Sequence, residues 1–142
     1  MNVSAFERHG VVLVRNFFPA PPVLVDRHKV LQILINLIRN AKYALDDGGG
    51  ADKRMTISIA PDGDDKVCIE VADNGVGISP ENLARIFGHG FTTKKDGHGF
   101  GLHSGANAAR EIGGELSVKS EGLGKGAAFT LELPVVPAKA HA

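Results

Sequence analysis

The chain has 142 residues, 43% hydrophobic and 23% charged, which fits one domain with a real core. Lys plus Arg number 16 and Asp plus Glu number 16, so the net charge is zero and bulk electrostatics recruit neither nucleic acid nor a membrane surface. No apolar run approaches the roughly 18–20 residues of a bilayer span, Met1 to His9 has no secretory stretch, and the lone Cys68 excludes an intrachain disulfide.

Val11 to Phe18, rich in Val and Phe, reads as a strand stopped by Pro19, Pro21 and Pro22. Asp26 is placed to cap a helix running to about Leu45, with Gly48-Gly49-Gly50 as its stop. On a wheel of about 100° per residue, Val30, Ile33, Leu34, Leu37, Ile38, Ala41, Ala44 and Leu45 fall on one broad apolar arc. Gln32, Asn36, Asn40 and Tyr43 form a narrow polar ridge along its edge, and a polar ridge beside a core face should border a cleft.

Met55 to Ala60 and Lys66 to Ala72 alternate as two strands across a turn at Pro61-Asp62-Gly63-Asp64. The alternation expects Cys68 to be a small buried apolar residue rather than a nucleophile, and a single thiol fits a reducing compartment. Ser79-Pro80-Glu81 opens a short helix expected to reach Phe87. Gly88 to Gly101 is polar and rich in Gly, Thr and Lys, and reads as a mobile loop. Leu102 to Ile112 is helical and ends at Gly113-Gly114; Glu115 to Lys119 and Ala127 to Leu133 close a hairpin across Glu121 to Gly126. This order predicts an α+β fold, a two-layer α/β sandwich with a mixed, mostly antiparallel sheet and about three helices on one face. Residues 1–10 are expected to be a linker remnant, 11–134 the domain, and 135–142 a flexible tail.

Three motifs carry chemistry. Asp73 closes a strand, and a buried carboxylate there can accept from an exocyclic amino group such as that of adenine; Gly75 and Gly77 let the backbone turn and the base approach. Taken alone, the same five residues could equally be a turn. Asn36 and Asn40 lie one helical turn apart, and a neutral amide oxygen suits Mg²⁺, which keeps waters and phosphate oxygens as its other ligands; an ordinary polar helix pair is the alternative. Gly97-x-Gly99-x-Gly101 before a helix offers backbone N–H groups and a positive helix end to a phosphate chain. It is neither the dinucleotide fingerprint, which follows a strand directly, nor a P-loop. Lys94 is placed to reach phosphates, whereas Lys95 reads better as a solvated loop charge. His9, His28 and His141 are expected at the surface, and His89, His98 and His103 lack Cys or carboxylate partners at metal-ligand spacing.

In combination these residues resemble the ATP-binding catalytic domain of sensor histidine kinases, within the GHKL ATPase superfamily. Gln32 to Ala41 looks like the N box, Asp73 to Ile78 the first glycine box, Ile86 to Lys94 the F box, and Gly97 to Leu102 the second glycine box. Glu121 to Gly126 followed by Phe129 resembles the last glycine turn, so the likeness runs from about Val11 to Pro134. It implies the GHKL sandwich, with Mg-ATP held between the N-box helix and the loop acting as a lid. Asp73 would take the adenine amino group, Asn40 would ligate Mg²⁺ and Asn36 would line the phosphates; Asn36, Asn40 and Lys94 form the implied catalytic set. Tyr43, Gly75, Gly77, Ile78, Phe87, Thr92, Thr93, Lys94, Gly97, His98, Gly99, Phe100, Gly101 and Leu102 would complete the nucleotide site, with the backbone at Gly99, Gly101 and Leu102 on the phosphates.

Hydrolysing branches carry a glutamate where this chain has Asn36, which favours phosphoryl transfer over hydrolysis. Tyr43 stands where many kinases have a basic residue, with Lys42 on the far side of the wheel. Ala127 replaces a frequent hydroxyl beside the adenine, and His98 and Phe100 replace small and aliphatic lid residues. Phe91 and Phe100 could be lid anchors or core packing. The implied partners are a histidine-bearing dimerisation domain of the same kinase and a downstream response regulator. His9, followed by Gly10, is not such a phosphoacceptor, so the chain is expected to be an excised or orphan catalytic domain, monomeric and cytoplasmic, from a parent that can be membrane-attached. The competing readings are a nucleotide-responsive module without turnover and an anti-sigma-type serine kinase, against which Asn36 argues.

Overall fold

The computed structural model describes residues 10–20, 23, 25–48, 52–63, 65–86 and 100–135. Five strands, β1 (Val11–Phe17), β2 (Lys53–Asp62), β3 (Lys66–Asp73), β4 (Glu115–Lys119) and β5 (Ala127–Pro134), form one sheet in the order β1-β2-β3-β5-β4. Only β1 and β2 run parallel; the other neighbours are antiparallel. The helices are α1 (Arg27–Gly48), α2 (Pro80–Leu83) and α3 (Phe100–Glu111). The expected α+β sandwich is therefore the observed one.

Strand alternation sorts the sheet into two faces. Met55, Ile57, Val67, Ile69, Val71, Phe129, Leu131 and Leu133 are buried on one side. Against them α1 lays Ile33, Leu37, Ala41 and Leu45, each no more than 2% exposed. Burying each larger side chain stabilises the fold by about 1.5–3 kcal/mol. Val30, Leu34 and Ile38 flank that stripe, as the wheel predicts. Asp26 caps α1: its Oδ1 accepts from His28 N–H at 2.9 Å and Lys29 N–H at 3.3 Å. Ser79 caps α2 in the same way through Asn82 N–H at 3.3 Å.

Four sequence expectations move. Pro61 and Asp62 belong to β2, paired with Val67 and Lys66, not to the turn. Proline has no N–H for a ladder, and β1 ends opposite Ile59, so none is required on that side. The short helix stops at Leu83, with Arg85 N–H already bonding back to Asn82 O at 3.0 Å. Phe100 and Gly101 begin α3 rather than ending the loop. Cys68 is only half-buried and faces the open side of the sheet, because the buried positions of β3 are Val67, Ile69 and Val71. At the far end Val135 N–H donates to Asp65 O at 2.8 Å, so pairing continues one residue past β5.

Candidate nucleotide-binding site

Asp73 is the last residue of β3 and faces the helical layer, paired across the sheet with Met55 and Ala127. Its two oxygens have different fates. Oδ1 accepts from Gly75 N–H at 2.9 Å, closing the local turn. Oδ2 is buried with no hydrogen-bond partner. Burial pushes the carboxyl up to about 6, against the opposing pull of the Gly75 and Ala127 N–H groups. The turn reading of the Asp73 motif is realised through Oδ1, and Oδ2 is left available for the site reading. An orphaned buried acceptor is costly to keep, and it fits a ligand that brings a donor.

The glycines after Asp73 are needed for contact. A side chain at Gly75 would meet the Ala44 carbonyl oxygen at 2.4 Å, the atom to which Val76 N–H donates at 2.9 Å. The last turns of α1 are thereby joined by backbone to the loop that follows Asp73. Gly77 has φ +76 and abuts Gly122 O, where a Cβ would lie at 2.1 Å. Gly124 N–H donates to Val76 O at 2.7 Å, so the β4–β5 turn packs on this loop. Ile78 packs partly against the core.

Asn36 and Asn40 are half-buried on α1, and Tyr43 is exposed on the same ridge. Lys29 lies on that ridge as well and pairs with Glu111, which joins the start of α1 to the end of α3. Asn107 pairs with His103 at 3.2 Å along α3. Leu102 packs partly against the core from the first turn of α3. Phe87, Thr92, Thr93, Lys94, Gly97, His98 and Gly99 lie outside the described residues, as do His89, Phe91 and Lys95.

Sequence reasoning passed over Ser120. Its Oγ accepts from Ile78 N–H at 3.0 Å and donates to Gly126 O at 2.6 Å. A serine after a short strand carries no local signal of that role. Among the described residues, one group of metal-capable atoms occurs, Asp62, Cys68 and Glu132 within 4.8 Å of one another. It lies on the open face, away from Asp73, and Lys66 Nζ stands 3.8 Å from Glu132. No helix among the described residues is long and apolar enough to cross a membrane.

A two-layer sandwich with a glycine loop under a polar helix ridge and an unsatisfied strand-end carboxylate defines a nucleotide-binding domain. The sequence model of the histidine kinase-, DNA gyrase B- and HSP90-like ATPases matches residues 25–137, and the chain belongs to that family. It is similar to the sensor histidine kinase ZraS of Salmonella typhi, 41% identical over 114 residues that cover 80% of this chain and 23% of the relative. Among solved structures it resembles the nucleotide-free catalytic domain of histidine kinase ThkA, with TM-score 0.76 and 26% identity over 92% of this chain and 83% of that one. Full-length ShkA in complex with AMPPNP gives TM-score 0.75 and 31% identity, over 90% of this chain and 26% of that one. The chain spans about a quarter of the length of the curated relatives it matches. It is an ATPase domain of the histidine kinase type, and its family uses ATP.

Proposed function

We propose that this chain is the catalytic domain of a two-component sensor histidine kinase, transferring the γ-phosphoryl group of ATP to a histidine on a separate dimerisation domain. The observation that carries the reading is the buried, unpartnered Oδ2 of Asp73 beside a glycine loop bonded to α1. Adenine's 6-amino group supplies the donor that this oxygen lacks, and the glycines leave room for the base. Asn36 and Asn40, on the ridge of α1, face the phosphates, with the Asn40 amide oxygen as the Mg²⁺ ligand. The N–H groups of Gly99, Gly101 and Leu102 and the start of α3 hold the phosphate chain, and Lys94 adds charge. Tyr43, Ile78, Phe87, Thr92, Thr93, Gly97, His98 and Phe100 border the same site.

The Asn40 amide oxygen would hold Mg²⁺, which would supply positive charge against that developing on transfer. The chain's own part is to bind the base, orient the phosphates and present the γ-phosphoryl group. With Asn36 in the general-base position, no carboxylate activates water there, which directs the phosphoryl group to a partner histidine rather than to hydrolysis. The response regulator that receives it next completes the proposed partners.

The test is phosphoryl transfer by the chain mixed with a matching histidine-bearing helical hairpin. Transfer that requires Mg²⁺ and is lost in Asn40→Ala, together with very slow ATP turnover by the chain alone, is the expected result. Brisk Mg²⁺-dependent hydrolysis by the 142 residues alone, abolished by Asn36→Ala, would move the protein to the hydrolysing branch.

A further inference from the structure

Two backbone segments flank Asp73. One is the loop from Asn74 to Ser79, whose Gly75 N–H holds Oδ1 at 2.9 Å. The other is the turn from Ser120 to Gly126, which leads into Ala127, the first residue of β5, paired with Asp73 across the sheet. Neither segment is a strand or a helix, so neither is fixed by a ladder of its own. The Ser120 hydroxyl is bonded to both.

We propose that Ser120 is a positioning residue for adenine recognition: its hydroxyl rivets the glycine loop to the β4–β5 turn and so holds the Asp73 carboxylate in place. The inference rests on Asp73 being the adenine acceptor. A serine hydroxyl has one proton and two lone pairs, and here all three are engaged. The proton goes to Gly126 O at 2.6 Å, while the lone pairs accept from Ile78 N–H at 3.0 Å and Gly122 N–H at 3.3 Å. Gly126 is the residue before Ala127, and its backbone lies against the main chain of Asp73, where an added Cβ would sit 2.1 Å from the carbonyl oxygen. On the other side, Ile78 ends the loop that starts at Gly75. The rivet therefore joins the loop that donates Gly75 N–H to the carboxylate to the turn that packs on the Asp73 main chain, so that moving either one would disturb the setting of Oδ2. Alanine would release three backbone groups at once, whereas threonine keeps the hydroxyl.

A purely structural role would weaken every nucleotide alike. A role through Asp73 changes the choice of base. The experiment measures dissociation constants of the full chain for ADP and for inosine diphosphate, which carries an oxygen where adenine has its amino group. Wild type is expected to prefer ADP. Ser120→Ala should lower ADP affinity about tenfold, the scale of one such bond lost, and leave inosine diphosphate within about twofold. Ser120→Thr should restore the preference, and Ser120→Ala in an Asp73→Asn background should cost ADP nothing further. If the alanine variant does not fold, Ser120→Cys, with its weak S–H donor, is read in the same way. Equal losses for both nucleotides, or selectivity unmoved by Ser120→Ala, would overturn the role of Ser120 alone. A wild-type chain that binds no ADP, or binds both nucleotides equally, would overturn the reading of Asp73 and this inference with it.

Discussion

Asp73 and Cys68 share strand β3, and burial raises the pKa of both, yet they stand in opposite environments. The Cys68 thiol is pushed up to about 11 by burial and by the nearby carboxylates of Asp62 and Glu132. Those neighbours lie 3.7 and 3.9 Å from Sγ, and Lys66 supplies countercharge to Glu132. That end of the strand is a partnered polar surface. Asp73, on the helical face, is raised to about 6 chiefly by burial, with one oxygen left without any partner. Perturbed acidity alone does not separate a site from a surface cluster. A buried carboxylate oxygen without a protein partner is what distinguishes the Asp73 end from the Cys68 end.

The sharpest way to break this contrast is through the glycine at each end. Gly126 has φ +72 and backs directly on Asp73, whereas Gly63 has φ +72 with only the Asp65 side chain near, at 3.7 Å. Gly126→Ala combines left-handed strain with a backbone clash and should cost about 4 kcal/mol or more, or prevent folding. Gly63→Ala should cost only the strain, about 1–2 kcal/mol. Urea unfolding of the two variants compares them, and equal losses would remove the special status of the Asp73 end.

Asp73→Asn should show opposite effects on binding and stability. Its amide presents a donor where adenine also donates, so ADP affinity should fall by about 1.5–3 kcal/mol in calorimetric titration. The protein without nucleotide should gain stability at pH 7, since the buried charge is gone. A shift from 3.8 to about 6 corresponds to about 3 kcal/mol, reduced to about 2 by partial solvent contact. A thermal midpoint unchanged or lowered at pH 7 would contradict the raised pKa.

The same group predicts a pH window. Between 3.8 and about 6 the folded carboxyl keeps its proton while the unfolded one releases it. This group's contribution to stability therefore falls as pH rises through that interval. Adenine favours the ionised form, so ADP affinity should drop as pH falls through about 6. Titrations at several pH values should show this in wild type and not in Asp73→Asn.

The smallest effects belong to the other end. Cys68→Ser should leave ADP affinity unchanged and move stability by less than about 1 kcal/mol. Alkylation of Cys68 should be slow at pH 8, because little thiolate exists that far below about 11. Rapid alkylation at that pH would mean that the two carboxylates do not hold the thiol protonated.

What the sequence determined by itself was local or periodic. The apolar arc of α1, the caps at Asp26 and Ser79, the glycine stops and the order of strands and helices follow from spacing and turn chemistry, which each segment carries alone. The motif at Asp73 was legible for the same reason, since a carboxylate and two glycines at a strand end need no partner to be noticed. Tertiary structure decided everything that depends on which segments meet. Pro61 joins β2 because β1 stops beside it, and Cys68 faces outward because β3 gives its other side to α1. Ala44 O meets Val76 only once the helix is docked, and Ser120 gains its role only when two loops distant in sequence lie within reach of one hydroxyl. A hydrogen bond is a property of a pair, and the chain order does not name the second member.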